Sequence, residues 1–195
     1  MPVIGILIGG ESSRMGRPKA IITVDDTTLI ERTAAVAATV SKTVLLLGEP
    51  PFALPRAVSS LEVIEDLHQG IGPMAGLESL LVARPSEACI LLACDMPHVT
   101  SSVLKRLCDV PTGYDAAVVC TGRDTRHWHP CCAAYGPSVA PVVRAAVAAG
   151  RYGMIKLLGS LRVQPIKLAG DDASCVENWN EPEDLPESAR ADDRP

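Results

Sequence analysis

The stretch "ILIGGESSRMGRPKA" at residues 6–20 joins the end of an apolar run to a loop of glycines, small polar residues and cations. The run Val3–Ile8 is continuously apolar, which is typical of a central strand in a parallel sheet because such strands are buried on both faces. Gly9 and Gly10 would let the backbone approach a ligand closely, and the amides of such loops form anion-binding concavities. The stretch therefore predicts a polyphosphate site at the end of the first strand.

Two cations of the same loop, Arg14 and Lys19, support this interpretation, because a forked guanidinium and a mobile ammonium can together neutralise a triphosphate. The loop has neither the Gly-Lys-Ser/Thr ending of a P-loop nor the G-x-G-x-x-G spacing of dinucleotide-dependent dehydrogenases. The alternative is a surface turn with solvated charges. The direct connection to a buried strand disfavours that alternative.

The composition limits the classes of protein that fit. The chain has 195 residues, of which 47% are hydrophobic and only 3% aromatic, and this suits a single α/β domain with an aliphatic core. The formal net charge of −5 argues against broad nucleic-acid binding. The seven cysteines form no C-x-x-C pair, and the first residues show neither a leader pattern nor a run long enough to cross a membrane. We expect reduced thiols in a cytoplasmic protein that does not bind membranes.

Strand, loop and helix alternate through about the first hundred residues, a pattern that predicts a doubly wound, mostly parallel sheet. The predicted strands are Val3–Ile8, Thr43–Gly48, Leu61–Asp66 and Ala88–Cys94. The first helix should begin at Thr28, which can form a capping box with Glu31. Ligands of such sheets bind beyond the carboxyl ends of the strands, so both glycine loops, Asp66 and Asp95 should converge on one cleft.

Asp95, in "ACDMPH", follows an apolar strand and should point into that cleft. A carboxylate among phosphates is a natural ligand for Mg²⁺, which takes oxygen donors and keeps several waters. The alternative is a helix N-cap before "TSSVLKRL", a position that Thr100 could fill instead. We therefore predict Asp95 as a magnesium ligand.

The second glycine loop is "HQGIGPMAG" at residues 68–76. Pro73 is suited to the first turn of a helix, and Gly72 and Gly76 would let a flat ring lie on the backbone. A tight connection without a ligand is the alternative. Asp66 would accept a hydrogen bond from a base or a ribose, or be only a solvated strand end.

The second half of the chain is less regular. We predict strands at Asp115–Cys120 and Pro130–Gly136, a helix at Ser138–Gly150, a short helix in "MIKLLGSL" and an edge strand around Pro165. A last helix should follow Asn180 as its cap, and the polar tail 186–195 should be disordered. With no linker in sight, residues 1–185 are predicted as one domain, with the nucleotide in its N-terminal half and the acceptor in its C-terminal half.

Two polar clusters in this half are ambiguous. "CTGRDTRHWHPCC" contains zinc-ligand types, but their spacing matches no standard zinc module and no partner base marks a cysteine nucleophile. "NWN" places Asn178 and Asn180 on one face of an extended segment, where they could ligate a metal or hold a phosphate. Helix capping is the alternative for Asn180.

Taken together, "LIGGESSRMGRPK", "GPMAGL", "CDMP" and "NWNEPEDL" resemble, in order and spacing, the molybdenum cofactor guanylyltransferases. The resemblance covers nearly the whole chain and implies a single-domain, three-layer α/β/α fold of the nucleotide-diphospho-sugar transferase-like type, with a Rossmann-like sheet. The double glycine, "GPMAG" and Asn-x-Asn resemble the guanylyl branch, whereas the cytidylyl branch usually carries Ala-Gly and Asp-x-Asp.

The resemblance implies a Mg²⁺-assisted transfer of GMP from GTP to the terminal phosphate of molybdopterin, with release of pyrophosphate. It implies that the nucleotide lies against Leu7, Ile8 and Gly9, and that Asp66 contacts it. Lys19 would hold the phosphates and Asp95 the metal. Arg14, Asn178 and Asn180 match motif positions near the reacting phosphates. Cofactor-assembly proteins and recipient molybdoenzymes are the implied protein partners.

Departures from the family pattern keep alternatives open. Leu47 stands about where the family often has an asparagine, Pro18 precedes the lysine as in the cytidylyl branch, and Trp179 replaces a small aliphatic residue. One alternative is a nucleotidyltransferase that uses CTP or another acceptor, such as a sugar phosphate. Another is a non-enzymatic nucleotide-binding partner. On charge and placement alone, His129 is assigned to the acceptor, together with other cations of the second half (Arg123, Arg126, His127 and Lys156).

Overall fold

The computed structural model of the chain describes residues 1–9, 17–108, 110, 112–122, 127–186 and 189. The described strands are β1 (Val3–Leu7), β2 (Thr23–Val24), β3 (Thr27–Thr28), β4 (Val44–Leu47), β5 (Glu62–Ile64), β6 (Cys89–Ala93), β7 (Ala116–Thr121), β8 (His127–Tyr135) and β9 (Val163–Lys167). The described α-helices are α1 (Leu29–Ala38), α2 (Pro73–Ala83), α3 (Ser101–Leu107), α4 (Ala140–Ala148), α5 (Met154–Leu158) and α6 (Asp171–Ser174). Short 3-10 helices cover Lys19–Ile21, Pro137–Val139 and Pro182–Asp184.

Seven of these strands form one sheet in the order β5-β4-β1-β6-β8-β7-β9. The pairs β1–β4, β1–β6, β4–β5 and β7–β9 are parallel, and β8 runs antiparallel to both of its neighbours. The predicted mostly parallel sheet is therefore confirmed. Pro165 lies in β9 at the edge of the sheet. The missing N–H of proline is tolerated at an edge strand, because it does not interrupt hydrogen bonding between inner strands.

Helices cover both faces of the sheet, which confirms the three-layer α/β/α architecture. Successive residues of a strand point to opposite faces, and β1 divides accordingly. Ile4 and Ile6 pack in a core shared with α1 and α3, whereas Val3 packs in a core shared with α2, α4 and α5. Because both faces are covered, the inner parallel strands β1, β4 and β6 are apolar throughout, as the sequence indicates.

The helix starts follow the predicted local signals. Thr28 and Glu31 form the capping box of α1, and Thr100 caps α3 by accepting from the Val103 amide. The N-cap role is thus taken by Thr100, which leaves the Asp95 side chain available for other contacts. Pro73 opens α2, and Gly72 before it has a φ of 66°, a conformation that glycine adopts without strain.

The structure departs from the predictions in the second half of the chain. Strand β8 begins at His127, three residues before the predicted start. Its pairing with β7 shifts between Val118 and Val119, so the residues around Pro130 bulge, and the Tyr135 hydroxyl donates to the Pro130 carbonyl at 2.8 Å. A bulge of this kind breaks the alternation that strand prediction relies on.

The predicted cap at Asn180 is wrong. The helix at this point is a 3-10 turn at Pro182–Asp184, and Glu181 is its N-cap in a capping box with Asp184. Proline at the first position and two acidic residues in the first turn suit this start one residue later. The side chain of Asn180 is therefore not a helix cap, and it accepts a hydrogen bond from Lys19 instead.

The predicted disordered tail lies outside the described residues except for residues 186 and 189. Ala189 is buried with Ile22, Val24, Leu29 and Leu185 in a small third core beside the β2–β3 hairpin. Its carbonyl accepts a hydrogen bond from Arg17 at 2.9 Å.

Within the part of the chain that the structure describes, no helix is long and apolar enough to span a bilayer.

Candidate active site

Three chain segments meet at the carboxyl ends of β1, β4 and β5. A Cβ built on Gly9 would lie 3.6 Å from the Cα of Gly48, and one built on Gly48 would lie 3.2 Å from the Cα and N of Gly9. Gly48 has a φ of 98°, so a side chain there would be strained as well as crowded. Glycine at position 48 therefore lets the first loop pass this close to the end of β4, whereas a Cβ on Gly9 would make only an ordinary contact.

Asp66 lies beside this pair of glycines. Its Oδ2 is 3.5 Å from the Cβ position of Gly48, and its buried Oδ1 accepts no hydrogen bond from the described residues. Burial raises the pKa of the carboxyl group above its ordinary value. A shielded acceptor without a donor, next to a backbone surface without side chains, is suited to a ligand that brings N–H or O–H groups.

Asp95 follows β6 and pairs with Lys19, the second cation of the first loop. Lys19 Nζ lies 3.3 Å from Asp95 Oδ2, and the side chains are 18% and 16% exposed. Burial raises the pKa of the Asp95 carboxyl, and the nearby ammonium partly opposes that rise. The other oxygen, Oδ1, is buried and has no hydrogen-bond partner among the described residues.

The C-terminal segment returns to complete this arrangement. Lys19 Nζ donates to Asn180 Oδ1 at 2.7 Å, and the Trp179 amide donates to the Asp95 carbonyl at 2.8 Å. The Trp179 ring packs edge-on against His98, with ring centroids 5.5 Å apart. The lysine is thus held between a carboxylate from the middle of the chain and an amide oxygen from its C-terminal part.

The other predicted residues divide into two groups. Leu7, Ile8, Gly72 and Pro73 lie at the end of β1 or the start of α2, next to the cleft. Asn178 is exposed two residues before Asn180. Gly10 and Arg14, with Arg123 and Arg126 of the second half, lie outside the described residues.

Gly76 does not act as a platform for a flat ring. It is buried in α2, and a Cβ there would clash with the Leu7 side chain and lie 3.5 Å from Leu47. Glycine at this position lets α2 pack closely on β1 and β4. The interpretation is therefore wrong for Gly76, whereas the exposed Gly72 has nothing within 4 Å of its Cβ position.

His129 lies in β8 near its start, at the same edge of the sheet. Its Nε2 is 3.1 Å from the Thr121 hydroxyl, and burial lowers the pKa of the imidazole, which favours the neutral ring. A hydrogen-bonding role toward an acceptor stays a prediction. Within the described residues, no three His, Cys, Asp or Glu side chains cluster closely enough to hold a metal by themselves.

The Asp95 carboxylate fits a magnesium ion bound together with a nucleotide. Mg²⁺ in nucleotide enzymes is commonly held by one or two carboxylates plus substrate phosphates, so a cluster of three protein ligands is not required. The buried Oδ1 of Asp95, with no donor among the described residues, is the acceptor that such an ion would satisfy.

Sequence reasoning missed two contributors to the site. Gly48 carries a signal that could have found it, because a glycine directly after an apolar strand marks a close approach or a left-handed backbone. The pairing of His98 with Trp179 has no local sequence signal, because the two residues are far apart in the chain.

A mostly parallel α/β sheet with a lysine, a buried aspartate and an open glycine backbone at its carboxyl edge is the arrangement of a nucleotidyltransferase. Comparison with known proteins agrees. The chain belongs to the MobA-like NTP transferase domain family, whose model matches residues 4–165.

Individual relatives give the same result. A protein of Pseudomonas putida named molybdenum cofactor guanylyltransferase is 30% identical over 180 residues, which are 91% of this chain and 92% of the relative. Among solved structures, molybdopterin-guanine dinucleotide biosynthesis protein A from Archaeoglobus fulgidus matches with a TM-score of 0.75 at 23% identity, over 96% of both chains. The 2-C-methyl-D-erythritol 4-phosphate cytidylyltransferase of Thermus thermophilus matches with a TM-score of 0.69 at 18% identity, over 98% of both chains. The two structural matches support the fold alone.

Proposed function

We propose that this protein transfers GMP from GTP to the terminal phosphate of molybdopterin or the molybdenum cofactor, with release of pyrophosphate. The observation that carries the proposal is the contact of Lys19 with both Asp95 and Asn180 at the carboxyl edge of the sheet. A cation next to a shielded carboxylate at the carboxyl edge of a mostly parallel sheet supports a triphosphate site there. The choice of guanylyl transfer to the molybdenum cofactor is supported by the name of the relative from Pseudomonas putida.

The reaction needs positioning and charge neutralisation more than covalent help from the protein. An oxygen of the acceptor phosphate forms a bond to the α-phosphorus of GTP. The bond from that phosphorus to the bridging oxygen breaks, and its electron pair leaves with pyrophosphate. Lys19 contacts Asp95, and its ammonium would stabilise the charge that develops on the leaving group.

Asp95 would hold Mg²⁺ through the oxygen that lacks a donor, and the ion would supply charge neutralisation at the phosphates when bound. Lys19 and Asn180 keep the carboxylate and the ammonium in fixed relative positions before the substrate arrives. Asp66 and the exposed backbone at Gly9 would contact the nucleotide, because a shielded acceptor without a donor lies beside that glycine.

The deciding experiment measures pyrophosphate release with GTP, CTP and ATP, each with and without molybdopterin and Mg²⁺. We expect release only with GTP, acceptor and metal together. Release with CTP instead would assign the protein to the cytidylyl branch. Release with GTP and a sugar phosphate, but not with molybdopterin, would change the acceptor, and binding without release would favour a non-enzymatic partner.

A further inference from the structure

A cavity lies on the α2 and α4 side of the sheet, beyond the loop that follows Asp66. Its volume is about 500 Å³, which is within the range of small-ligand sites. The residues that matter for its chemistry are His68, Ile71, Glu78, Arg144, Val147 and Tyr152. The cavity thus combines an apolar wall and an aromatic ring with one acidic and two basic groups.

Glu78 is the unusual member of this lining. It is a charged residue in the buried stripe of α2 and is 5% exposed. Its Oε2 is shielded from solvent and makes no hydrogen bond within the described residues. His68, whose side chain is 54% exposed, approaches this oxygen at 3.5 Å, which is beyond good hydrogen-bond distance.

A buried carboxylate oxygen whose nearest described donor is an exposed histidine at 3.5 Å is poorly satisfied, which leaves it available to a donor on a ligand. A carboxylate accepts best from two adjacent N–H groups, as in its pairing with guanidinium. A planar ring with such an edge would also suit the rest of the cavity. Ile71 and Val147 offer apolar contact, the 43%-exposed Tyr152 an aromatic face, and Arg144 a donor for an oxygen.

We propose that this cavity binds a 2-amino-4-oxopyrimidine ring, with Glu78 accepting from the ring N–H and the neighbouring amino group. Guanine and pterins both carry this ring, so the inference rests on the proposed function for the source of its ligand. The exposed His68 side chain would swing aside to admit the ring. His68, Gln69 and Ile71 line the cavity and belong to the loop that joins Asp66 to α2, so a ring bound here would contact the loop of the nucleotide site.

Matched pairs of ligands test the donor edge directly. Calorimetry would compare guanosine with inosine, which lacks the amino group, and pterin with lumazine, in which an oxo group replaces it. The proteins would be wild type, Glu78→Gln, and Glu62→Gln as a control at an exposed ion pair with Arg84. We expect guanosine, pterin or both to bind at least about tenfold more tightly than the partner ligand, and Glu78→Gln to remove that preference.

The control should keep wild-type affinity. Since Glu78 is buried, Tyr152→Ala at an exposed position is the second variant, and we expect it to weaken the same ligand several-fold. Binding of guanosine alone would assign the cavity to the nucleotide base, binding of pterin alone to the acceptor, and binding of both to the shared ring. If neither ring binds wild type, or both bind Glu78→Gln and Tyr152→Ala unchanged, the inference is overturned.

The pyrophosphate assay separates this inference from the proposed function. Transfer of GMP by wild type, with rings that bind independently of Glu78, would leave the function in place and remove the cavity site. Rings that bind through Glu78 in a protein that releases no pyrophosphate would leave the cavity site and remove the function.

Discussion

The two lateral halves of the central sheet differ in how fully their polar side chains are hydrogen-bonded. On the side of β5, β4, β1 and β6, the buried Oδ1 atoms of Asp66 and Asp95 accept no hydrogen bond within the described chain. On the side of β8, β7 and β9, Asp115 accepts from Arg162 and Ser138, and Tyr135 donates to the backbone. Groups that serve the fold have their partners built in, whereas groups that serve a ligand await them.

The same two halves of the sheet also differ in the pKa values of their carboxyl groups. Burial raises the pKa of Asp66 and Asp95, whereas hydrogen bonds from Arg162 hold the pKa of Asp115 at about 2. A raised carboxyl pKa means that the folded chain disfavours the charge, and a lowered one means that it favours the charge. The first side of the sheet therefore gives up some stability, in the manner of an active site.

Removing the carboxylate charge at Asp95 should give the largest effect. We expect Asp95→Asn to lower the rate of pyrophosphate release by about a thousandfold, since the metal ligand would be neutralised. The variant should fold as well as wild type. Asp115→Asn, the same change on the other side of the sheet, should keep near-normal activity, and equal losses in both variants would contradict the comparison.

Lys19 should come next. Lys19→Met keeps the length of the side chain but removes the ammonium that contacts Asp95 and Asn180. We expect a loss of about a hundredfold in kcat, because charge on the leaving pyrophosphate would be less well neutralised. Lys105→Met, at the exposed end of α3, is the matched control. Full activity of the Lys19 variant in steady-state kinetics would rule out its assigned role.

Asn180 should have a smaller effect, because its side chain contacts the lysine and not the Asp95 carboxylate. We expect Asn180→Ala to lower kcat/KM for GTP about tenfold by removing one oxygen acceptor from Lys19. Asn180→Asp keeps an acceptor and should lose less than the alanine variant. The proposed anchoring is untenable if the alanine variant has wild-type kcat/KM.

Asn180 also shows where sequence reasoning stops. The first side of the sheet was predictable because each strand, its loop and the next helix are adjacent in the chain, and local signals such as Thr28, Gly72 and Pro73 fix their ends. The contact between Lys19 and Asn180 spans 161 residues and depends on how the C-terminal segment docks. Asparagine is a good helix cap in isolation, and only tertiary packing assigns it to the lysine.

The smallest effect concerns stability, and it should have opposite signs at Asp95 and Asp115. The folded state raises the pKa of Asp95 above 3.8, so the folded chain binds this proton more tightly than the unfolded chain does. Wild type therefore loses stability as the pH rises from 3.8 through the pKa of the folded state. Asp95→Asn should therefore gain stability over wild type as the pH rises above 3.8. The stabilisation from Asp115 is complete above 3.8 and is lost as the pH falls toward 2, so Asp115→Asn should be less stable at neutral pH, with the deficit fading in acid.

Urea midpoints of wild type and both variants between about pH 3 and pH 8 would measure these differences. The stability lost in Asp115→Asn should be smaller than the stability gained in Asp95→Asn, because Arg162 is 69% exposed and solvent screens its pair with Asp115. Two pH profiles that run parallel would show that the carboxylates share one kind of environment. Profiles that diverge as described would establish that one side of the sheet stores a destabilised charge and the other a stabilised one.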